Sequence, residues 1–332
     1  MHDNAGQRVR IEGTVAPGFE SVRQRYEHNM RTLAEESTQL CVYHAGEKVV
    51  DLWATVTDQT DFSPDSLVNI FSSGKSFEAV AIASLVDKGL IQYNARVAEY
   101  WPEFATNGKG ELTVAELMRH EAGLPAFNRS IDPPALLTAN IKQNSVGQLI
   151  EGHAQTFRKG EGNRREYHAV TRGWIVNELF RRVDLGGRRI IKKKSEDISQ
   201  PLEVDAIVGV RKEELPRVKK VTPLGFWFQL RESLKPRFLK RRMERNIFQL
   251  LAMLLRLIPA IRNASVGRAP APFRGMKRIG FFNEPAVAMG ETPSANTHSN
   301  ARSLAKIAAV MAAGGKWAGR EDLGDAAWNA MH

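Results

Sequence analysis

The chain has 332 residues, a formal net charge of +10, 42% hydrophobic and 25% charged residues, and a single cysteine. That balance belongs to a folded globular chain, long enough for one large core or two unequal interleaved lobes, and it excludes an intrachain disulfide. No run reaches the roughly 18 apolar residues of a membrane span, and Met1-His2-Asp3-Asn4-Ala5-Gly6 lacks the apolar core of a secretory signal, so the expected location is cytoplasmic.

In chain order, the pattern predicts a helix from about Phe19 to Glu35. A hairpin follows, Gln39–His44 and Lys48–Ala54, around Ala45-Gly46-Glu47. Cys41, in the first of those strands, reads as a buried, inert thiol. A strand-like run, Leu67–Phe71, then meets a helix-like run from Ser73 to Lys88 that Gly89 ends. The stretch from Leu112 through Phe180 is mostly helical in pattern. Neither an internal repeat nor a low-complexity tract is present.

The junction at Phe71-Ser72-Ser73-Gly74-Lys75-Ser76-Phe77 carries the chemistry. A serine followed three residues later by lysine, at a helix start, puts both side chains on one face one turn apart. There an amine of lowered pKa can take the serine proton, as in S-x-x-K acyl-transfer enzymes. Two other readings compete. Gly74-Lys75-Ser76 matches the tail of a phosphate-binding loop, although that motif needs glycine where Asn69 stands, and Ile70 and Phe71 crowd its cradle. Ser72 could also merely cap the helix. His120-Glu121 lacks the second histidine of a zinc H-E-x-x-H helix, since position 124 is Leu124. Neither a metal nor another cofactor is expected.

Further blocks give the junction its partners. They are Glu99-Tyr100-Trp101-Pro102-Glu103-Phe104, then Leu112-Thr113-Val114-Ala115-Glu116-Leu117-Met118-Arg119-His120-Glu121-Ala122-Gly123-Leu124-Pro125, then Tyr167-His168-Ala169 with Gly173-Trp174. The last is Ser294-Ala295-Asn296-Thr297-His298-Ser299-Asn300-Ala301-Arg302-Ser303-Leu304-Ala305. Through these blocks the chain resembles the β-lactamase-related serine hydrolases, a family of class C β-lactamases, DD-peptidases and carboxylesterases. The resemblance runs from about Gln39 to Arg182 and from about Ile279 to Gly315. It implies an α/β (α+β) fold of the β-lactamase/transpeptidase type, with an antiparallel sheet flanked by helices plus a helical lobe, in one domain over residues 1–332.

The resemblance also implies roles. Ser72 would be the acylated nucleophile, Lys75 its proton partner, and Tyr167 the general base and later acid. A tyrosine near its unperturbed pKa of about 10 works as a base only if cations stabilise its phenolate. His168 and His298 would bind substrate. Ala169 stands where penicillin-recognising members carry a polar residue that holds the substrate amide; its side chain cannot hydrogen-bond, which favours esters over β-lactams and peptides. No Lys-Thr-Gly or His-x-Gly motif follows the Arg302 region before His332. Its strand would supply one oxyanion-hole amide and complete the sheet beside the hairpin. The expectation is therefore an incomplete copy of the domain, with an unpaired edge and an uncovered apolar face. The alternative to a serine hydrolase is a catalytically inactive scaffold serving as an interaction or membrane-surface protein.

The excess positive charge collects between Arg188 and Arg278, in Lys192-Lys193-Lys194, Lys219-Lys220 and Arg237-Phe238-Leu239-Lys240-Arg241-Arg242. Relative to the family, about 226–274 is an insertion that joins a basic run (Lys235 to Arg245) to an apolar one (Ile247 to Ile258). It suits a helical flap whose apolar face packs over the cleft, or an interfacial helix on anionic lipid. Nucleic acid is not expected, because the bases lack an interleaved aromatic platform. The expected partner is a small ester or acyl substrate, with peripheral membrane contact through the insertion as the second possibility.

Overall fold

The computed structural model describes residues 9–56, 61–158, 165–183, 199–200, 202–263, 269–317, 320–321, 324–325 and 328–329. The Lys192-Lys193-Lys194 run and the first six residues lie outside them. The chain opens with β1 (Arg10–Val15), α1 (Glu20–Thr32), β2 (Ser37–His44), β3 (Glu47–Thr55) and β4 (Val68–Asn69). The α-helices of five residues or more among the described residues continue as α2 (Lys75–Asp87), α3 (Val114–Met118), α4 (Ser145–Gly152) and α5 (Thr171–Val183). After β5 (Ala206–Val208) come α6 (Phe226–Leu234), α7 (Ile247–Asn263), β6 (Thr297–Ser299) and α8 (Ala301–Ala312). Two compact units result, one from residues up to 66 with 222–263 and 300–309, the other from 67–221, 264–299 and 310 onward.

The first unit is built on an antiparallel sheet in the order β1-β3-β2. β2 and β3 form the predicted hairpin, turning through two residues, Ala45 and Gly46, both with positive φ, as a tight hairpin turn requires. β1 was not among the predicted elements. Its alternation is interrupted at Gly13, where a side chain would strike the Asp51 carbonyl across the ladder. Val50, Leu52 and Ala54, successive residues on one face of β3, form one apolar cluster with Tyr26 and Met30 of α1. The apolar face expected to lie uncovered is therefore covered, by α1. Asp51 lies among these residues but alternates to the other face, where its buried carboxylate accepts from Arg302 Nε at 2.9 Å and Lys48 Nζ at 2.6 Å. Gln39 completes that layer, accepting from the Ala301 amide and donating to the Ser63 carbonyl. Cys41 pairs with Asp51 in the ladder, and burial, then the Asp51 charge, push its thiol up to about 11. It is a poor nucleophile.

The second unit is organised around α2. Phe77, Val80, Ala81, Ile82, Ala83 and Leu85 are all buried, so the middle of the helix is enclosed nearly all round, the signature of a core helix. Its cluster extends through Trp101, Phe104, Trp174, Ile175 and Phe180. Thr113 and Glu116 cap α3 reciprocally, as the Thr113-Val114-Ala115-Glu116 spacing predicts. The stretch predicted as mostly helical is broken between α3 and α4, beginning where His120 (φ 65°) and Gly123 (φ 66°) take left-handed conformations that a helix cannot continue through. A short antiparallel sheet, β4-β6-β5, pairs Asn69 with His298 and His298 with Ile207.

Candidate active site

The predicted strand Leu67–Phe71 stops at Asn69, and the reason shapes the site. Asn69 Oδ1 accepts the Phe71 amide at 2.8 Å, a local turn that competes with the ladder. Phe71 is then driven to φ 46°, a strained conformation for a bulky residue. Edge-to-face packing of its ring on Phe282, 5.2 Å away, holds it there. The chain leaves this kink as a 3-10 turn, Phe71–Gly74, and α2 begins only at Lys75. Ser72 is thus displayed on the turn ahead of the helix rather than capping it. Gly74 presses against the 293–297 segment, where a Cβ would stand 2.5 Å from the Pro293 carbonyl. The glycine serves close packing against that segment.

Two side chains meet at Ser72. Tyr167 donates its hydroxyl to Ser72 Oγ at 2.7 Å, and Lys75 Nζ lies 3.3 Å from the same oxygen. The other Lys75 donors go to the Ala169 carbonyl at 2.7 Å and the Ser294 carbonyl at 2.9 Å. Three acceptors for three protons are the full complement of an ammonium. The same nitrogen sits 4.8 Å from the centre of the Tyr167 ring. Burial pushes the Tyr167 hydroxyl up, but Lys75, the Ser72 hydroxyl and the Arg172 charge together outweigh it and leave its pKa lowered. Tyr167 is half exposed.

Beneath these residues lies a buried polar layer that the sequence reading missed. Glu78, one turn after Lys75, is fully buried and accepts from Arg172 Nε at 2.9 Å and from the Ser294 hydroxyl. Arg172 also donates to the Met118 and Lys75 carbonyls. The same Ser294 that offers its carbonyl to Lys75 is therefore tied through its side chain to Glu78. An acid at i+3 from Lys75, at the edge of the apolar run from Ala79 to Ala83, was the available signal.

The two histidines expected to bind substrate do not line a cleft, because both are fully buried. His168 Nε2 accepts the Leu124 amide at 3.0 Å, its Nδ1 meets the Glu166 carbonyl at 2.6 Å, and its own amide donates to His120 Nδ1. It staples the 120–124 loop to the segment carrying Tyr167, whose ring packs on His120 at 4.9 Å. His298 lies on the central strand of the short sheet. Burial is the largest cause lowering the pKa of each ring, to about 4 for both. Both folded values lie below the usual 6.5, so the unfolded chain binds protons first as pH falls through 6.5 toward 4. Stability supplied by the neutral rings is complete above 6.5. At pH 5 it is expected to have dropped by about 2 kcal/mol per ring. Urea denaturation at pH 7 and pH 5 measures it; equal stabilities would show that the rings are protonated in the native state.

Comparisons with known proteins identify the family and the fold. The family described as Beta-lactamase matches residues 22–331. The Mycobacterium tuberculosis esterase/beta-lactamase LipL is 30% identical over 322 residues, which is 95% of this chain and 67% of that protein. Among solved structures, a penicillin-binding protein homologue from Caulobacter crescentus superposes with a TM-score of 0.74 at 29% identity, covering 97% of this chain and 76% of that one. A family VIII carboxylesterase gives a TM-score of 0.74 at 27% identity, covering 96% and 76%. The expected β-lactamase/transpeptidase-like fold is the one observed, and the chain belongs to the Beta-lactamase family.

Proposed function

We propose that the protein is a serine hydrolase that acts on esters through an acyl-enzyme. The observation that carries this reading is the convergence of Tyr167 Oη and Lys75 Nζ on one oxygen, Ser72 Oγ. With its three donors engaged, Lys75 serves as a fixed positive charge rather than as the base. That charge favours the Tyr167 phenolate, which takes the Ser72 proton as Oγ bonds to the ester carbonyl carbon. Collapse of the tetrahedral intermediate breaks the ester C–O bond, and Tyr167 returns its proton to the departing alkoxide. Water then attacks the acyl group, giving its proton to Tyr167, and Ser72 leaves reprotonated. The Ser72 backbone amide, on the 3-10 turn, would donate to the developing oxyanion.

Ala169 supports the choice of ester. Its carbonyl is committed to Lys75, and its methyl group offers no polar contact to a substrate amide. The family VIII carboxylesterase carries ester hydrolysis alone in its name, whereas LipL is named for both ester and β-lactam hydrolysis. Turnover of short-chain p-nitrophenyl esters, compared with a chromogenic cephalosporin, tests it. Esters are expected to be cleaved with the higher kcat/KM, and a preference for the cephalosporin would reject the ester assignment. Tyr167→Phe is expected to lower kcat by on the order of 10²–10⁴ without a matching rise in KM, as loss of a general acid–base does. Steady-state kinetics read both values.

A further inference from the structure

Among the described residues, the most exposed apolar side chains lie far along the chain from the Ser72 motif, on α6, α7 and the turn between them. Phe226, Trp227, Phe238, Phe248 and Leu255 are each at least two-thirds exposed. The insertion expected from sequence as a helical flap or an interfacial helix carries this apolar face. The segment is a defined element. Asn246 and Gln249 cap α7 reciprocally, Asn246 Oδ1 accepting the Gln249 amide at 2.9 Å and Gln249 Oε1 the Asn246 amide at 3.0 Å. Phe248, Leu251 and Leu255, at i, i+3 and i+7, then share one face with Leu254 beside them. A preformed helix with a wide apolar face in water needs an occupant.

Charge identifies the occupant. Residues 226–263 hold nine lysines and arginines against two glutamates. Lys240 and Arg245, both exposed, lie just ahead of α7, and Arg256 flanks its apolar face. Apolar side chains and cations on one element match a surface that is apolar at depth and anionic at its rim. A bilayer with acidic headgroups is such a surface. Trp227 and Phe226, packed edge to face at 5.3 Å, add the aromatic pair that settles at headgroup level. A second copy of the chain would bring two positive faces together. Among the described residues no helix is long and apolar enough to cross a membrane, so the element can lie on a bilayer but not span one. From this we infer that α6 and α7 form a peripheral docking surface for anionic lipid bilayers.

Sedimentation with phosphatidylcholine vesicles, with and without phosphatidylglycerol, tests the inference on the intact protein. Binding is expected only with phosphatidylglycerol, to weaken as salt rises, and to quench Trp227 when the lipid carries brominated acyl chains. Removing Lys240 and Arg245 together, as Lys240→Ala with Arg245→Ala, should weaken binding by on the order of fivefold per charge. Phe248→Ser with Leu251→Ser, at solvent-facing positions, should abolish binding while leaving the thermal unfolding transition unchanged. Ser72→Ala should bind vesicles like the wild type, which separates this surface from the hydrolase reading. Absence of binding to phosphatidylglycerol vesicles would overturn the inference, as would equal, salt-independent binding to neutral ones. A dimer in sedimentation equilibrium that Phe248→Ser with Leu251→Ser dissociates would assign the face to a second copy and overturn it too.

Discussion

Ser72→Ala is expected to lower ester turnover by on the order of 10⁴–10⁶ and to leave the fold intact, because removing a covalent nucleophile disables every step that depends on it. The size follows from the geometry. Both Tyr167 and Lys75 aim at Ser72 Oγ, so without that oxygen they have no proton to move and no alkoxide to stabilise. What survives is binding and whatever the backbone donors lend to water attack. Stability should change little, since the Ser72 side chain is exposed and its loss opens no cavity. A fluorophosphonate probe gives the matching chemical readout: one covalent adduct, mapping to Ser72, absent in the alanine variant. An adduct retained in that variant, or turnover within tenfold of wild type, would place the nucleophile elsewhere.

How much of this site was legible before the structure depends on the range of the interaction involved. The Ser72–Lys75 pair could be read directly, because an i, i+3 spacing near a helix start fixes proximity over a single turn. Tyr167 lies 95 residues away from Ser72, and only the order of the family-like blocks linked the two. The conformation of Phe71 was not readable, since φ 46° on a phenylalanine contradicts local preference and is imposed by Asn69 and Phe282. β1 escaped for the opposite reason: its period-two pattern is genuine, but Gly13 sits where an inward apolar residue would have declared it. His168 and His298 show the limit of residue type as evidence. An imidazole next to Tyr167 in the chain can face substrate or staple a loop, and only the hydrogen bonds of His168 to Leu124 and Glu166 decide between them.

The buried pair beneath the site carries the second large effect. Glu78→Ala is expected to destabilise the protein by about 3–5 kcal/mol, since it strands the Arg172 guanidinium in the interior without its counter-ion. Glu78 is fully enclosed and Arg172 nearly so, so water cannot replace the lost carboxylate. The double variant Glu78→Leu with Arg172→Met removes both charges and should recover much of that loss, because well-packed apolar substitutes for a buried pair are often neutral. Urea denaturation of both single variants and the double variant gives the coupling energy. Activity is expected to part from stability at this point. Glu78 also fixes the Ser294 hydroxyl, whose residue supplies one of the three acceptors of Lys75, and Arg172 holds the Lys75 carbonyl. A restabilised double variant should therefore still show a lowered kcat with KM nearly unchanged, because the ammonium that favours the Tyr167 phenolate has lost its positioning. Recovery of both stability and kcat would reduce the pair to a packing role; recovery of stability alone would make Glu78 and Arg172 positioning residues for the proton transfer at Ser72.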